Sequence, residues 1–151
     1  FVAPVSATVY EGTGALMSAV HAHPQFTVGV DNKNCDRGYM GSFRPYSGQV
    51  TICTGDNGWD ANDHDTVRHE TWHVIQHCLR HPDHTKLQPL FTPGTEEWDT
   101  YVIGNLTHEM YHFILTDYPE THHNIELEAF AMARSLTASQ VQDAFERACY
   151  D

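Results

Sequence analysis

A histidine and glutamate pattern in the middle of the chain has the spacing of a metal-dependent hydrolytic site. Residues 69–73 read His-Glu-Thr-Trp-His, which is an HExxH pattern. On a helix that turns about 100° per residue, side chains four residues apart lie only about 40° from each other. His69 and His73 can therefore bind one tetrahedral cation, and Glu70 can reach a water on that cation as a general base. The pattern predicts a Zn²⁺ site that activates water.

The segments before this motif have the alternation and the turn residues of a small sheet. Apolar residues alternate with polar or small ones between positions 25 and 31, which predicts a strand. Two further strands are predicted at 38–44 and 48–54, joined by the Pro-Tyr-Ser-Gly turn at 45–48. We expect the strand at 48–54 to be a free sheet edge near the cleft, where an extended peptide could add as another strand.

Helices are predicted both before and after this sheet in the chain. A short helix at 13–23 comes first, and Asp63 is a typical N-cap residue for the HExxH helix, which Pro82 would end. Further helices are predicted at 95–115, 123–136 and 137–149, the last from a capping-box pattern. The expected fold is α+β: a small antiparallel or mixed sheet, the HExxH helix and two or three further helices, in a single domain of residues 1–151.

The order of strand, loop and HExxH helix resembles the way in which zincin metallopeptidases assemble their sites. The resemblance covers about residues 25–136 at the level of architecture. The metzincin version of the motif has a third histidine ten residues after the first, but that position is Leu79. This departure excludes the metzincin pattern and leaves the gluzincin one, in which a glutamate from a later helix is the third ligand.

A glutamate helix of the gluzincin kind follows in the chain. Such helices often have an E-x-x-A pattern with small residues on one face, and Glu126 fits it with Ala129 and Ala133. Glu128 is the alternative, although Ser135 takes the place of the second alanine. The resemblance to gluzincins therefore implies that Glu126 is the third metal ligand, with Glu128 left open.

A second HExxH pattern competes with the first. His108, Glu109 and His112 have the same spacing, in the helix just before the glutamate helix. That helix follows another helical stretch rather than a strand, whereas the first motif follows the sheet. We therefore assign the metal to the first motif, and the histidines of the second become polar or packing residues of an amphipathic helix.

Two parts of the implied site have no assigned residue. The Asp or Asn that zincins of this kind often have four residues after the glutamate is Phe130 here, so the partner that orients a ligating histidine is not identified. His77 is expected at the edge of the core or beside a ligand, not as a ligand. The donor to the oxyanion could be any of five residues: Tyr101, Tyr111, Tyr118, His122 and His123.

The resemblance implies a zinc-dependent endopeptidase with Glu70 as general base and a peptide or protein as substrate. One competing hypothesis is a catalytically silent zinc-binding or interaction module on the same scaffold, without a usable cleft. Another is a metal-storage protein, because 12 histidines in 151 residues is a high count. Storage predicts several metal ions per chain, whereas the enzyme predicts one.

Charge and composition exclude two classes of partner. The 20 acidic and 8 basic side chains give a formal charge of −12, without the lysine and arginine clusters that phosphate contacts need, so no nucleic acid is expected. No run of 18 or more apolar residues occurs, so no membrane span is expected.

Four cysteines allow two disulfides. We expect Cys35–Cys53, which would close a hairpin, and Cys78–Cys149, which would tie the last helix to a central one, while four reduced thiols are the alternative. Disulfides would favour a secreted or otherwise extracytoplasmic location.

Overall fold

The computed structural model describes residues 12–31, 40–54, 59–79 and 86–150. Within them the fold is α+β, as predicted. A small mixed sheet lies on the N-terminal side of these described ranges, with one α-helix before it in the chain and five after it. The strands are β1 (Thr27–Asp31), β2 (Gly41–Arg44) and β3 (Gln49–Cys53). The helices are α1 (Thr13–Ala22), α2 (Ala61–Leu79), α3 (Glu96–Tyr101), α4 (His108–Asp117), α5 (His123–Ser135) and α6 (Ala138–Cys149).

The sheet has the order β1-β3-β2, with β1 parallel and β2 antiparallel to β3. Val50 and Ile52 of β3 are buried, while Gln49, Thr51 and Cys53 are half-buried, as the alternation predicts. The expectation that the strand at 48–54 is a free edge is wrong, because β1 and β2 pair with β3 on its two sides. The edge that faces the HExxH helix is β2.

Helix α2 is the central element, and a reciprocal cap fixes its start. Asp60 Oδ1 accepts hydrogen bonds from the amides of Asn62 and Asp63, and Asp63 Oδ2 accepts one from the Asp60 amide. The helix therefore begins at Ala61, two residues before the predicted cap. Every residue from 66 to 77 is buried, because the sheet and helices α1, α5 and α6 pack around it.

The single helix predicted at 95–115 is wrong: the chain forms α3, a 3₁₀ turn and then α4. Gly104 lies in the interrupted stretch, and glycine costs a helix interior about 1 kcal/mol relative to alanine. The Thr107 hydroxyl accepts a hydrogen bond from the Met110 amide at 3.1 Å and so caps a new helix. Four helices therefore follow the HExxH helix in the described residues, rather than two or three.

The C-terminal helices pack onto α2 as the sequence suggests. The capping box at Thr137 and Gln140 opens α6, and the Cys78–Cys149 disulfide joins α2 to its end. Cys53 is also disulfide-bonded, while Cys35, its predicted partner, lies outside the described residues. In the part of the chain that the structure describes, no helix combines the length and apolar character needed to cross a membrane.

Candidate metal centre

Three side chains from two helices converge beneath the sheet edge. His69 and His73 lie one turn apart on α2, and Glu126 lies in the first turn of α5. The Nε2 atom of His73 is 2.7 Å from Glu126 Oε1, and the Nε2 atom of His69 is 3.3 Å from Glu126 Oε2. One ligand atom from each residue lies within 4.8 Å of the others, and all three residues are buried. The structure thus brings together the three predicted ligands.

The donor set and its burial fit a bound cation. Two imidazole nitrogens and a carboxylate are the ligands of a catalytic zinc site that leaves a further position open. Glu126 Oε2 is buried and, apart from its 3.3 Å ion pair with His69 Nε2, has no hydrogen-bond partner of good geometry. A buried acceptor without a hydrogen bond is rare and calls for an explanation such as an ion.

The electrostatics of this cluster favour charge on Glu126 and a proton or another cation beside it. Burial alone would lower the pKa of His73, but the adjacent Glu126 carboxylate outweighs it and raises that pKa to about 9. Burial conversely tends to raise the pKa of Glu126, yet His73 and His69 hold it well below its usual value. Without a metal, the His73 proton neutralises the buried carboxylate, and a metal ion would take over that role.

Close approach of α5 to α2 brings Glu126 within reach of the histidines. Ala129 and Ala133 are fully buried on this helix, and Arg68 Nε donates to the Ala133 carbonyl at 2.8 Å. Small side chains at these positions let the two helices approach closely, as the E-x-x-A pattern implies. Phe130 points to the site as well, and its ring packs edge-on against that of His69 at 4.4 Å between centroids.

Glu128 lies elsewhere in the core and does not belong to the cluster of His69, His73 and Glu126. Its carboxylate is fully buried and accepts hydrogen bonds from four N–H groups. Glu126, two residues earlier, lies about 200° away around the helix and faces the histidines. Of the two glutamates, it is therefore Glu126 whose carboxylate lies with the two histidines.

Glu70 lies between two cavities that meet at the cluster. One cavity of about 390 Å³ has an aromatic wall of Phe113, Tyr118 and Phe130. The other, of about 650 Å³, extends past His73 and Glu126. Glu70, His69 and Tyr118 line both cavities. Burial raises the pKa of the Glu70 carboxyl, His69 and His73 oppose this, and Glu126 adds to it.

Gly41 in β2 is a residue of the site that the sequence analysis missed. A Cβ atom at this position would lie 2.6 Å from Thr66 Cγ2, 2.9 Å from the Thr51 carbonyl oxygen and 3.2 Å from Glu70 Cγ. The missing side chain therefore lets the edge strand lie directly against the HExxH helix at Glu70. A glycine inside a predicted strand was the available signal, because it often marks close approach of a backbone.

The second HExxH motif and His77 lie outside the cluster. His108, Glu109 and His112 of the second motif are on α4, where Glu109 and both histidines are exposed. Within the described ranges, they belong to no group of three metal-binding side chains. His77 is buried between the rings of Phe26 and Phe43, at the core edge where it was expected.

Of the five candidate oxyanion donors, two border the cavities. Tyr118 lines both cavities and His122 lines the larger one. His123 instead bonds the Tyr118 carbonyl through Nε2, and Tyr101 stacks on Phe91. Tyr111 lines neither cavity, so Tyr118 and His122 are the two candidates that border them.

Comparison with protein-family models, with curated proteins and with solved structures found no match for this chain. The chemistry of the site therefore has to follow from its own residues.

Proposed function

We propose that this protein is a zinc-dependent endopeptidase of the gluzincin type. The observation that carries the proposal is the convergence of His69, His73 and Glu126 on one buried point, where one Glu126 oxygen is left with no partner except the His69 imidazole at 3.3 Å. His69 Nε2, His73 Nε2 and the Glu126 carboxylate would hold Zn²⁺. When bound there, the metal supplies Lewis-acid activation of a water molecule and of a carbonyl oxygen.

Glu70 is the proposed general base. Glu70 lines both cavities, as His69 does, and its carboxyl group could hold a water molecule there. Burial raises its pKa, which makes the carboxylate a stronger proton acceptor than an exposed glutamate. After accepting the proton of the attacking water, the same carboxyl can pass it to the leaving amine. Tyr118 or His122 would donate to the developing oxyanion.

The edge strand β2 supports an extended peptide as substrate. The Cys53 amide donates to the Met40 carbonyl, so Met40, Ser42 and Arg44 face β3 in the antiparallel ladder. The backbone groups of Gly41 and Phe43 then point away from β3, and both residues line the larger cavity. In the described residues β2 pairs with β3 alone, so a peptide could add to its outer edge beside Glu70.

The test combines metal analysis with a matched pair of glutamate variants. The wild-type protein should bind one Zn²⁺ per chain and cleave peptides of a random mixture, detected by mass spectrometry, and a chelator should stop cleavage. Glu70→Gln should keep the metal and lose about 100-fold or more of the activity, since a general base contributes that much. Glu109→Gln, the same change in the second HExxH pattern, should leave both the Zn²⁺ content and the peptidase activity unchanged.

Other outcomes would contradict the proposal. Undiminished hydrolysis by Glu70→Gln would remove its assigned base. A wild-type protein that binds one Zn²⁺ but cleaves nothing would instead support the catalytically silent module. Several tightly bound ions per chain would point to metal storage.

A further inference from the structure

A buried glutamine lies directly behind one of the proposed metal ligands. Gln76 is fully buried on α2, and its Oε1 atom is 2.8 Å from His73 Nδ1. Its Nε2 atom lies 3.1 Å from the Ile125 carbonyl oxygen and 3.1 Å from Glu128 Oε1. Because these two partners are acceptors, the amide nitrogen must face them, and the amide oxygen must face His73.

This orientation decides which nitrogen of His73 is available to a metal. An oxygen of Gln76 next to Nδ1 requires a hydrogen on Nδ1. A neutral His73 ring therefore has its free lone pair on Nε2, the atom that lies 2.7 Å from Glu126 in the cluster. The glutamine thus selects the tautomer that the proposed site needs.

Glu128 holds the glutamine in place. Its carboxylate accepts the Gln76 amide and also the Trp72 indole N–H at 2.7 Å. It further accepts the backbone amides of Leu90 at 2.8 Å and Phe91 at 2.9 Å. These contacts join α2, α5 and the segment that contains Leu90 and Phe91, which follows Lys86 and Leu87 in the wall of the larger cavity.

We infer that Gln76, anchored by Glu128, is the positioning residue that fixes the His73 imidazole for metal binding. It does so from the ligand helix itself, in a chain where the position four residues after Glu126 is Phe130. The inference rests on the proposed metal site and adds to it the group that orients a ligand. A glutamine that served only to satisfy buried polar atoms would affect stability without affecting the metal.

The experiment separates these two roles by measuring Zn²⁺ affinity and stability together. Zn²⁺ affinity is measured on the metal-free protein by competition with a chromophoric chelator, and stability by urea unfolding with chelator present. Gln76→Met removes the acceptor at similar side-chain length and should weaken Zn²⁺ binding about 10- to 100-fold. Trp72→Phe removes a different hydrogen bond to Glu128 and leaves the bond between Gln76 and His73 in place. It should lower stability while keeping Zn²⁺ affinity within about threefold of the wild type.

A conservative variant provides the rescue. Gln76→Glu keeps an oxygen toward Nδ1 but places a carboxylate beside Glu128, so it should cost stability. Its Zn²⁺ affinity should nevertheless stay within about fivefold of the wild type, because a carboxylate also orients a ligating histidine. Loss of affinity that simply follows loss of stability across the three variants would overturn the inference.

A spectroscopic measurement keeps the test decisive if Gln76→Met does not fold. In the Zn²⁺-loaded wild type, the Nδ1 hydrogen of His73 should exchange slowly with water and be visible by NMR, because it is buried and bonded. A His73 ring that instead carries its hydrogen on Nε2 would overturn the inference. A wild type that binds no Zn²⁺ would overturn both proposals, whereas a Zn²⁺-binding wild type with an equally tight Gln76→Met variant would overturn this one alone.

Discussion

Replacement of Glu128 by leucine tests how strongly this buried carboxylate of α5 holds that helix against α2. The change keeps roughly the volume of the side chain and removes both of its acceptor oxygens. Four N–H groups lose their partner: the Trp72 indole, the Gln76 amide and the backbone amides of Leu90 and Phe91. The expected loss in the free energy of unfolding depends on which of these N–H groups water can reach in the folded variant.

The burial of the donors sets the magnitude. Trp72 is 1% exposed and Gln76 is 0% exposed, so water cannot replace the carboxylate at these two groups. Each buried donor without a partner costs about 1–3 kcal/mol. Leu90 is 46% exposed, so its segment can turn its amides to water and should contribute little. Glu128→Leu should therefore lower the free energy of unfolding by about 2–6 kcal/mol.

Urea unfolding of the metal-free protein at neutral pH, followed by tryptophan fluorescence and circular dichroism, provides the measurement. Glu128→Gln, which keeps one acceptor oxygen, should lose less than Glu128→Leu. Glu109→Leu makes the same change on the exposed face of α4 and should alter stability by no more than about 0.5 kcal/mol. A loss below about 1 kcal/mol in Glu128→Leu, with an unchanged denaturant slope, would refute the reasoning.

Two further predictions concern the cluster without metal and the disulfide. In the metal-free protein, the raised pKa of His73 stabilises the fold fully below its unfolded value of 6.5, and this contribution is lost as pH rises through about 9. The lowered pKa of Glu126 acts in the opposite direction, so its contribution is lost as pH falls below its unfolded value of 4.5. Thermal unfolding against pH should thus show an alkaline decline that Glu126→Gln flattens, and an equal decline in that variant would contradict the pairing. Cys78 and Cys149 close a loop with a separation of 71 residues, so Cys78→Ala with Cys149→Ala should cost about 4 kcal/mol in urea unfolding, and a cost near zero would contradict this.

Local patterns in the sequence were enough to predict most elements and two residues of the proposed metal site. The alternation in β3, the capping box of α6 and the HExxH spacing each depend on neighbours within a few residues, so they can be read without knowledge of the fold. The helix predicted at 95–115 was wrong for a local reason too, because Thr107 provides a cap that competes with continuation of the helix.

Contacts between distant parts of the chain had to come from the tertiary structure. The sequence could not establish that β1 pairs along β3 and makes β3 the central strand, because strand order depends on packing rather than on any one strand. It also could not show that Gly41 makes room for Glu70, or that Gln76 stands between His73 and Glu128.

The two HExxH patterns show the same division most clearly. Spacing alone makes His69 with His73 and His108 with His112 equivalent, since each pair lies four residues apart on a helix. The sequence determined that either pair could bind a metal. The order of elements along the chain favoured the first pair, but only the tertiary structure shows that α5 brings the Glu126 carboxylate to that pair, whereas the second pair is exposed on α4.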